Sequence, residues 1–292
     1  MTCSVHNKLS QTIFGLTKLS NLTQRVITGL IGIAVFIGAI FYGTYSYFAL
    51  FFIIAILAQL EFYKLIKADK LRPIQWIGLL LGGGINLITY MHFEQQWPLG
   101  SYLLLMPLVG LIYFTKLYQT PENRPFNSIA QTFMGIVYVA LPFSLLHVCT
   151  FSGGAYNPQI IMGMLLLLWA SDSGAYFTGV KFGKHKLFER ISPKKTWEGF
   201  FGGAALSILV SVVLSHFWTT LPLYEWLGLS VIIIVAGSYG DLVESLFKRS
   251  IAIKDSASTL PGHGGFLDRF DGLLLSIPFL VAFFELVRIF VK

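Results

Sequence analysis

Apolar residues in this chain come in long runs instead of amphipathic stripes. From Val26 to Val291, stretches almost free of charge alternate with short segments rich in Lys, Arg, Gly, Pro and aromatic residues. A helix needs roughly 20 apolar residues to cross a hydrocarbon core about 30 Å thick, so each run reads as a membrane span. The pattern places spans at 26–43, 46–63, 74–92, 98–115, 127–150, 159–178, 199–217, 226–247 and 272–290. The expected fold is all-α, a polytopic transmembrane helical protein of about nine spans. Its weakest boundary is the first, because Tyr42-Gly43-Thr44-Tyr45 only slightly interrupts one apolar stretch. Residues 1–25 are polar with scattered Ile13, Phe14, Leu16 and Leu19 and show no small-residue cleavage site, which predicts a polar tail or an interfacial helix instead of a signal peptide.

Composition supports this reading. A chain of 292 residues could bury a soluble core, but 55% hydrophobic against 12% charged residues and a mean hydropathy of +0.69 belong in lipid. No interval between spans is long enough for a soluble domain, and there is no repeat or linker. The chain is read as one integrated domain, with a scaffold of about five spans over 26–150 and about four further spans over 151–292. The first five spans are assigned to scaffold and oligomer contact, a homodimer being the simplest case, on the premise that they hold no internal ionisable residue. Gly82-Gly83-Gly84 predicts a close helix contact. Cys3 and Cys149 lie far apart, so neither a disulfide framework nor a zinc site is expected.

Charge adds sidedness. With nine spans, Lys8, Lys18, Arg25, Lys64, Lys67, Lys70, Arg72, Lys116, Arg124, Lys181, Lys184, Lys186, Arg190, Lys194, Lys195, Lys248, Arg249, Lys254 and Arg269 share one side, and only Arg288 and Lys292 fall on the other. The positive-inside rule makes the crowded side cytoplasmic. Topology and anionic headgroups account for the formal charge of +7, so nucleic acid is not an expected partner.

Candidate chemistry lies in the second half. Asp172 falls inside an apolar run, where acids are costly and usually line a cavity or pathway. Ser192-Pro193-Lys194-Lys195-Thr196-Trp197-Glu198-Gly199 puts paired lysines before a helix start, whose free N–H groups and partial positive charge also attract anions. Asp241, Ser245 and Lys248 recur at i, i+4 and i+7 on one helical face, with Glu244 beside them. Pro261, Gly262, Gly264 and Gly265 can curl backbone N–H groups around a phosphate. Asp268 and Asp271 share a face if the last helix begins early, and such carboxylates beside lysines suit Mg²⁺ with open coordination positions.

Read as S-x-F-K-R-x₄-K-D-x-A-x₂-L-P-x-H-G-G-F-x-D-R-F-D, Ser245 to Asp271 resembles the signature of the phosphatidate cytidylyltransferases, also called CDP-diacylglycerol synthases. Asp172-Ser173-Gly174-Ala175-Tyr176-Phe177 and Ser192 to Gly199 are similar to two further segments of that family. The resemblance covers roughly residues 25–290, by hydropathy alone in the first five spans. It implies a reaction of CTP with phosphatidate giving CDP-diacylglycerol and pyrophosphate, in phospholipid biosynthesis, with Mg²⁺ and in some cases a neighbouring monovalent cation. Asp241, Asp268 and Asp271 match the family's acidic metal site. Ser192, Lys194, Lys248, Arg249, Lys254, His263 and Arg269 match positions where phosphate contacts are expected. Asp172, Lys195 and Ser245 join them as candidate substrate contacts, and Lys248 with the three aspartates forms the expected reaction centre.

Two other readings differ in what they require. A CTP-dependent polyprenol or phytol kinase shares the setting but passes on the γ-phosphoryl group. A secondary transporter also places acids in its spans, yet such folds show paired repeats and midplane charge. Here charge gathers toward one face. The compact length points to a bacterial inner membrane, with the site facing the cytoplasm.

Overall fold

A computed structural model describes residues 21–69, 71–119, 122–251 and 265–291, the first eleven of these as backbone only. The tail 1–20 and, in the signature segment, Lys254, Asp255 and His263 lie outside the described residues. Helices follow in the order α1 (Asn21–Tyr42), α2 (Thr44–Ala68), α3 (Gln75–Gln95), α4 (Leu99–Tyr118), α5 (Pro125–Thr150), α6 (Pro158–Phe182), α7 (Trp197–Phe217), α8 (Leu223–Ser250) and α9 (Leu267–Phe290). Without water in the bilayer core, every backbone N–H and C=O must be satisfied within its own segment, and helices do so. Among the described residues, α2 to α9 make eight helices long and apolar enough to cross a membrane, and Gly32–Tyr42 of α1 is a shorter apolar stretch. The protein is an all-α polytopic membrane protein. The weak first boundary is a real break: Gly43 is extended, and the Ser46 hydroxyl donates to the carbonyls of Ala39 at 2.6 Å and Gly43 at 2.8 Å across it.

Among the described residues, two helices are locally widened. In α5 the segment Gly135–Ala140 is π-helical, just before Pro142, which has no N–H to offer the preceding turn. In α8 the π segment is Ile233–Gly237. One element escapes hydropathy altogether: between α6 and α7 the chain forms an antiparallel hairpin of β1 (Lys186–Phe188) and β2 (Ser192–Thr196), with Lys186 opposite Thr196.

The larger of two buried apolar clusters among the described residues, including Tyr47, Phe62, Phe143, Leu165, Trp226 and Leu273, joins helices of both halves. The expected contact at Gly82-Gly83-Gly84 is present, since a Cβ at Gly82 would come within 2.7 Å of the Ala140 Cβ and one at Gly84 would run 2.6 Å from Leu105. The premise that the first five spans hold no internal ionisable residue fails. Glu61 in α2 and His147 in α5 are both buried. His147 is held as a structural group, its Nδ1 3.0 Å from the Tyr47 hydroxyl and its Nε2 3.0 Å from Asn86 Oδ1. That network ties α2, α3 and α5 together. Glu61 behaves differently.

Candidate active site

Glycines decide how closely the site-bearing helices approach. A Cβ at Gly174 of α6 would stand 2.7 Å from the Gly202 carbonyl oxygen, and one at Gly203 of α7 would stand 2.5 Å from that of Ser171. Such backbone-to-backbone contact is how small residues pack membrane helices that gain nothing from hydrophobicity in lipid. The same device operates between α8 and α9. A Cβ at Gly240 would lie 2.5 Å from the Asp271 carbonyl oxygen and 2.8 Å from the Gly272 Cα. Asp241 and Asp271 are thereby carried to the same spot.

The hairpin and the start of α7 form a second wall. Thr196 caps α7 by accepting the Gly199 N–H at 3.2 Å. The Glu198 side chain turns back to accept the N–H groups of Lys184 at 3.1 Å and His185 at 3.2 Å, and pairs with His185 Nδ1 at 2.6 Å. This folds the loop down, so that Lys195 on β2 faces α8 and Lys194 lines the same cavity. Lys195 Nζ lies 2.7 Å from Asp241 Oδ2 and donates to the Ser238 carbonyl at 2.9 Å.

These elements enclose a cavity of about 530 Å³ that is lined by Asp172, Lys194, Lys195, Asp241, Glu244, Lys248, Asp268, Arg269 and Asp271, with Trp169, Tyr176 and Phe200 on its apolar wall. Lys248 bridges two acids, at 3.2 Å to Glu244 and 3.0 Å to Asp268. Asp268 Oδ2 also accepts the Gly265 N–H at 3.4 Å, and Asp271 Oδ1 accepts that of Gly272 at 2.6 Å. Asp241, Glu244 and Asp271 each offer an oxygen within 4.8 Å of the others. Glu244 is buried, and its Oε1 has no hydrogen-bond partner among the described residues. Clustered carboxylates of this kind are costly unless a cation joins them, and a hard divalent ion fits an all-oxygen set.

The residues expected from sequence divide accordingly. Asp172, Lys194, Lys195, Asp241, Lys248, Asp268, Arg269 and Asp271 share the cavity. Ser245 stands beside it, its hydroxyl 3.4 Å from Asp241 Oδ1. Ser192 begins β2 opposite Phe188, and Arg249 is exposed at the end of α8; neither lines the cavity. The close acidic trio contains Glu244, while Asp268 is engaged by Lys248. In the sequence Glu244 stands only as a neighbour of the expected site, although its i+3 spacing from Asp241 signals a shared face. Tyr138, from the π segment of α5, does not line the cavity but is a neighbour of its acids that the sequence does not single out. Its buried hydroxyl lies within electrostatic reach of Glu244 and Asp271 and has no hydrogen-bond partner among the described residues.

Comparison with known proteins finds a family for the chain. A profile of the cytidylyltransferase family matches residues 23–287. The phosphatidate cytidylyltransferase of Staphylococcus epidermidis is 34% identical over 260 residues, covering 88% of this chain and 96% of that protein. Those of Staphylococcus aureus, 32% identical over 259 residues, and Staphylococcus haemolyticus, 33% identical over 260 residues, cover the same shares of both chains.

Proposed function

We propose that this chain, which belongs to the cytidylyltransferase family, is a nucleotidyltransferase that moves the cytidylyl group of CTP onto phosphatidate, releasing pyrophosphate. The observation that carries the reading is the cavity itself. Five carboxylates and four Lys and Arg side chains line one space at the ends of apolar helices, which suits two polyanions and a cation at a lipid boundary.

The attacking group is a phosphate oxygen of phosphatidate. With a second pKa near ~6, a phosphomonoester is already largely dianionic at neutral pH, so no general base is required. Its oxygen forms a bond to the α-phosphorus of CTP while the bond from that phosphorus to the β-phosphate bridging oxygen breaks, and the electron pair leaves with pyrophosphate. The protein's task is in-line positioning and charge neutralisation. Lys194, Lys195, Lys248 and Arg269 would hold phosphate oxygens, and the apolar wall would exclude water. Asp241, Glu244 and Asp271, with Asp268 beside them, would hold Mg²⁺. When bound, the ion supplies charge stabilisation on the transferring phosphate.

The site is assigned to the cytoplasmic face of a bacterial cytoplasmic membrane, on the Lys and Arg asymmetry and the bacterial relatives. In intact cells, Lys186→Cys should react only with reagent from the inside and Leu223→Cys from the outside; the reverse pattern would invert the orientation.

Purified protein incubated with phosphatidate, Mg²⁺ and CTP labelled at the α or γ phosphorus tests the reaction. Label from the α position should enter lipid. Entry of γ label alone would make the protein a lipid kinase, and entry of neither into a folded preparation would remove the proposal.

A further inference from the structure

Glu61 belongs neither to the cavity lining nor to the motifs in the sequence. It sits near the C-terminal end of an otherwise apolar stretch of α2 and is 3% exposed. Its carboxylate reaches α9, where the Phe266 N–H donates to Glu61 Oε2 at 2.8 Å. Gly265 supplies a separate observation. Any Cβ at that position would collide with the Glu61 carboxylate, so the chain passes Glu61 as closely as a glycine allows. The next residue on α2 touches the other site-bearing helix: Phe62 stacks on Phe247, with ring centroids 5.1 Å apart and planes at 19°.

A carboxylate buried in a membrane span is costly and persists where something specific receives it. Here the receiver is a helix start. Phe266 is the N-cap of α9 and provides no side-chain cap of its own, which leaves early N–H groups needing an acceptor. A carboxylate there meets both that need and the partial positive charge of the helix end. Asp268, Arg269 and Asp271 occupy the first turns after this cap, so a shift at Phe266 moves them directly.

We propose that Glu61 is a positioning residue for the transfer reaction: a helix cap supplied by α2 that fixes the first turn of α9 and with it Asp268, Arg269 and Asp271. The role in turnover rests on the reaction proposed above, whereas the cap itself has a readout that does not.

The full-length protein in lipid nanodiscs would be compared with Glu61→Gln, Glu61→Leu, Gly265→Ala, and Gly265→Ala combined with Glu61→Leu. Glu61→Gln keeps an acceptor oxygen and should retain kcat within about 3-fold, whereas Glu61→Leu should lose at least ~10-fold. In Glu61→Leu, amide hydrogen exchange should quicken across 265–271 and stay unchanged in the rest of α9. The double variant should lose little more than the worse single one, since both changes break one contact. Wild-type kcat and exchange in Glu61→Leu would overturn the proposal. So would an activity loss that follows the loss of folded protein and that Glu61→Gln does not rescue. If Glu61→Leu does not fold, Glu61→Ala takes its place in the cycle with Gly265→Ala, and purely additive losses sink the idea. Wild-type protein inactive toward phosphatidate and CTP removes the reaction, and the exchange data still decide the cap.

Discussion

Buried polar groups occur on both sides of the molecule, but they are used differently. Apart from Glu61, those in α2, α3 and α5 are amide, hydroxyl and imidazole groups, and several of them bond to one another. Besides the Tyr47–His147–Asn86 chain, the Gln59 amide donates to the Gly78 carbonyl at 2.9 Å, the Tyr63 hydroxyl to that of Thr132 at 2.8 Å, and Thr89 meets Ser144 at 2.6 Å. Around α6, α8 and α9, half-buried and exposed charged groups gather on a cavity with the buried Glu244, and three carboxylate oxygens lie within 4.8 Å of one another. Polarity inside the membrane is therefore not a sufficient mark of a site. Matched neutral pairs specify packing, whereas crowded like charges raise the energy of the empty protein and make sense when a ligand joins them.

The contrast can be broken most sharply at the acids. Asp241→Asn and Asp271→Asn keep side-chain shape but remove a hard anionic ligand, and turnover should fall by about 100-fold or more. The thermal midpoint of Asp271→Asn, which breaks no ion pair among the described residues, should stay level or rise when Mg²⁺ is withheld, because one of several mutually repelling charges is gone. A folded Asp271→Asn protein with wild-type turnover and Mg²⁺ dependence would end the assignment of a cation to this cluster.

The lysines come next. Lys195→Met and Lys248→Met should each lower turnover at least ~10-fold, as expected when a charge-assisted contact is lost in a screened site. Steady-state rates at saturating CTP and phosphatidate check this. Lys248→Met should also lower stability, since Glu244 and Asp268 lose their shared partner.

A matched group in the scaffold should respond the opposite way. His147→Phe leaves Tyr47 and Asn86 without their buried partner, at a cost of about 1–3 kcal/mol for each unsatisfied group. Melting in detergent should show that loss while turnover per folded molecule is kept. A large fall in turnover at unchanged stability would place His147 in the reaction and erase the distinction between the two regions.

Smallest of all should be the effect of Lys64→Met and Lys67→Met. Both side chains are exposed at the end of α2, and Lys67 donates to Gln75 Oε1 at 2.6 Å. Rates within about 2-fold of wild type are expected, because exposed charges contribute little. Losses equal to those at Lys248 would mean that overall surface charge, and not a built site, governs activity.

Much of this molecule is legible in its amino-acid order alone. Bilayer thickness is a fixed length, so hydropathy averaged over a span finds the helices, and Lys and Arg counts supply the expectation of a side that the labelling experiment tests. Ser245 to Asp271 is contiguous, so its chemistry can be read along the chain. Contacts between distant segments leave no such trace. The hairpin at Lys186 to Thr196 is too short and polar for any hydropathy window, and Glu244 joins the acidic trio only because Gly240 and Gly272 bring α8 against α9. Glu61 lies 205 residues from the amide it accepts, inside a span whose composition reads as plain scaffold. Local physics, meaning transfer to lipid and the 3.6-residue turn, acts on neighbours in sequence and is visible there. The meeting of Asp241, Glu244 and Asp271, and the reach of α2 into α9, depend on how closely whole helices pack, which is settled by every side chain at each interface together.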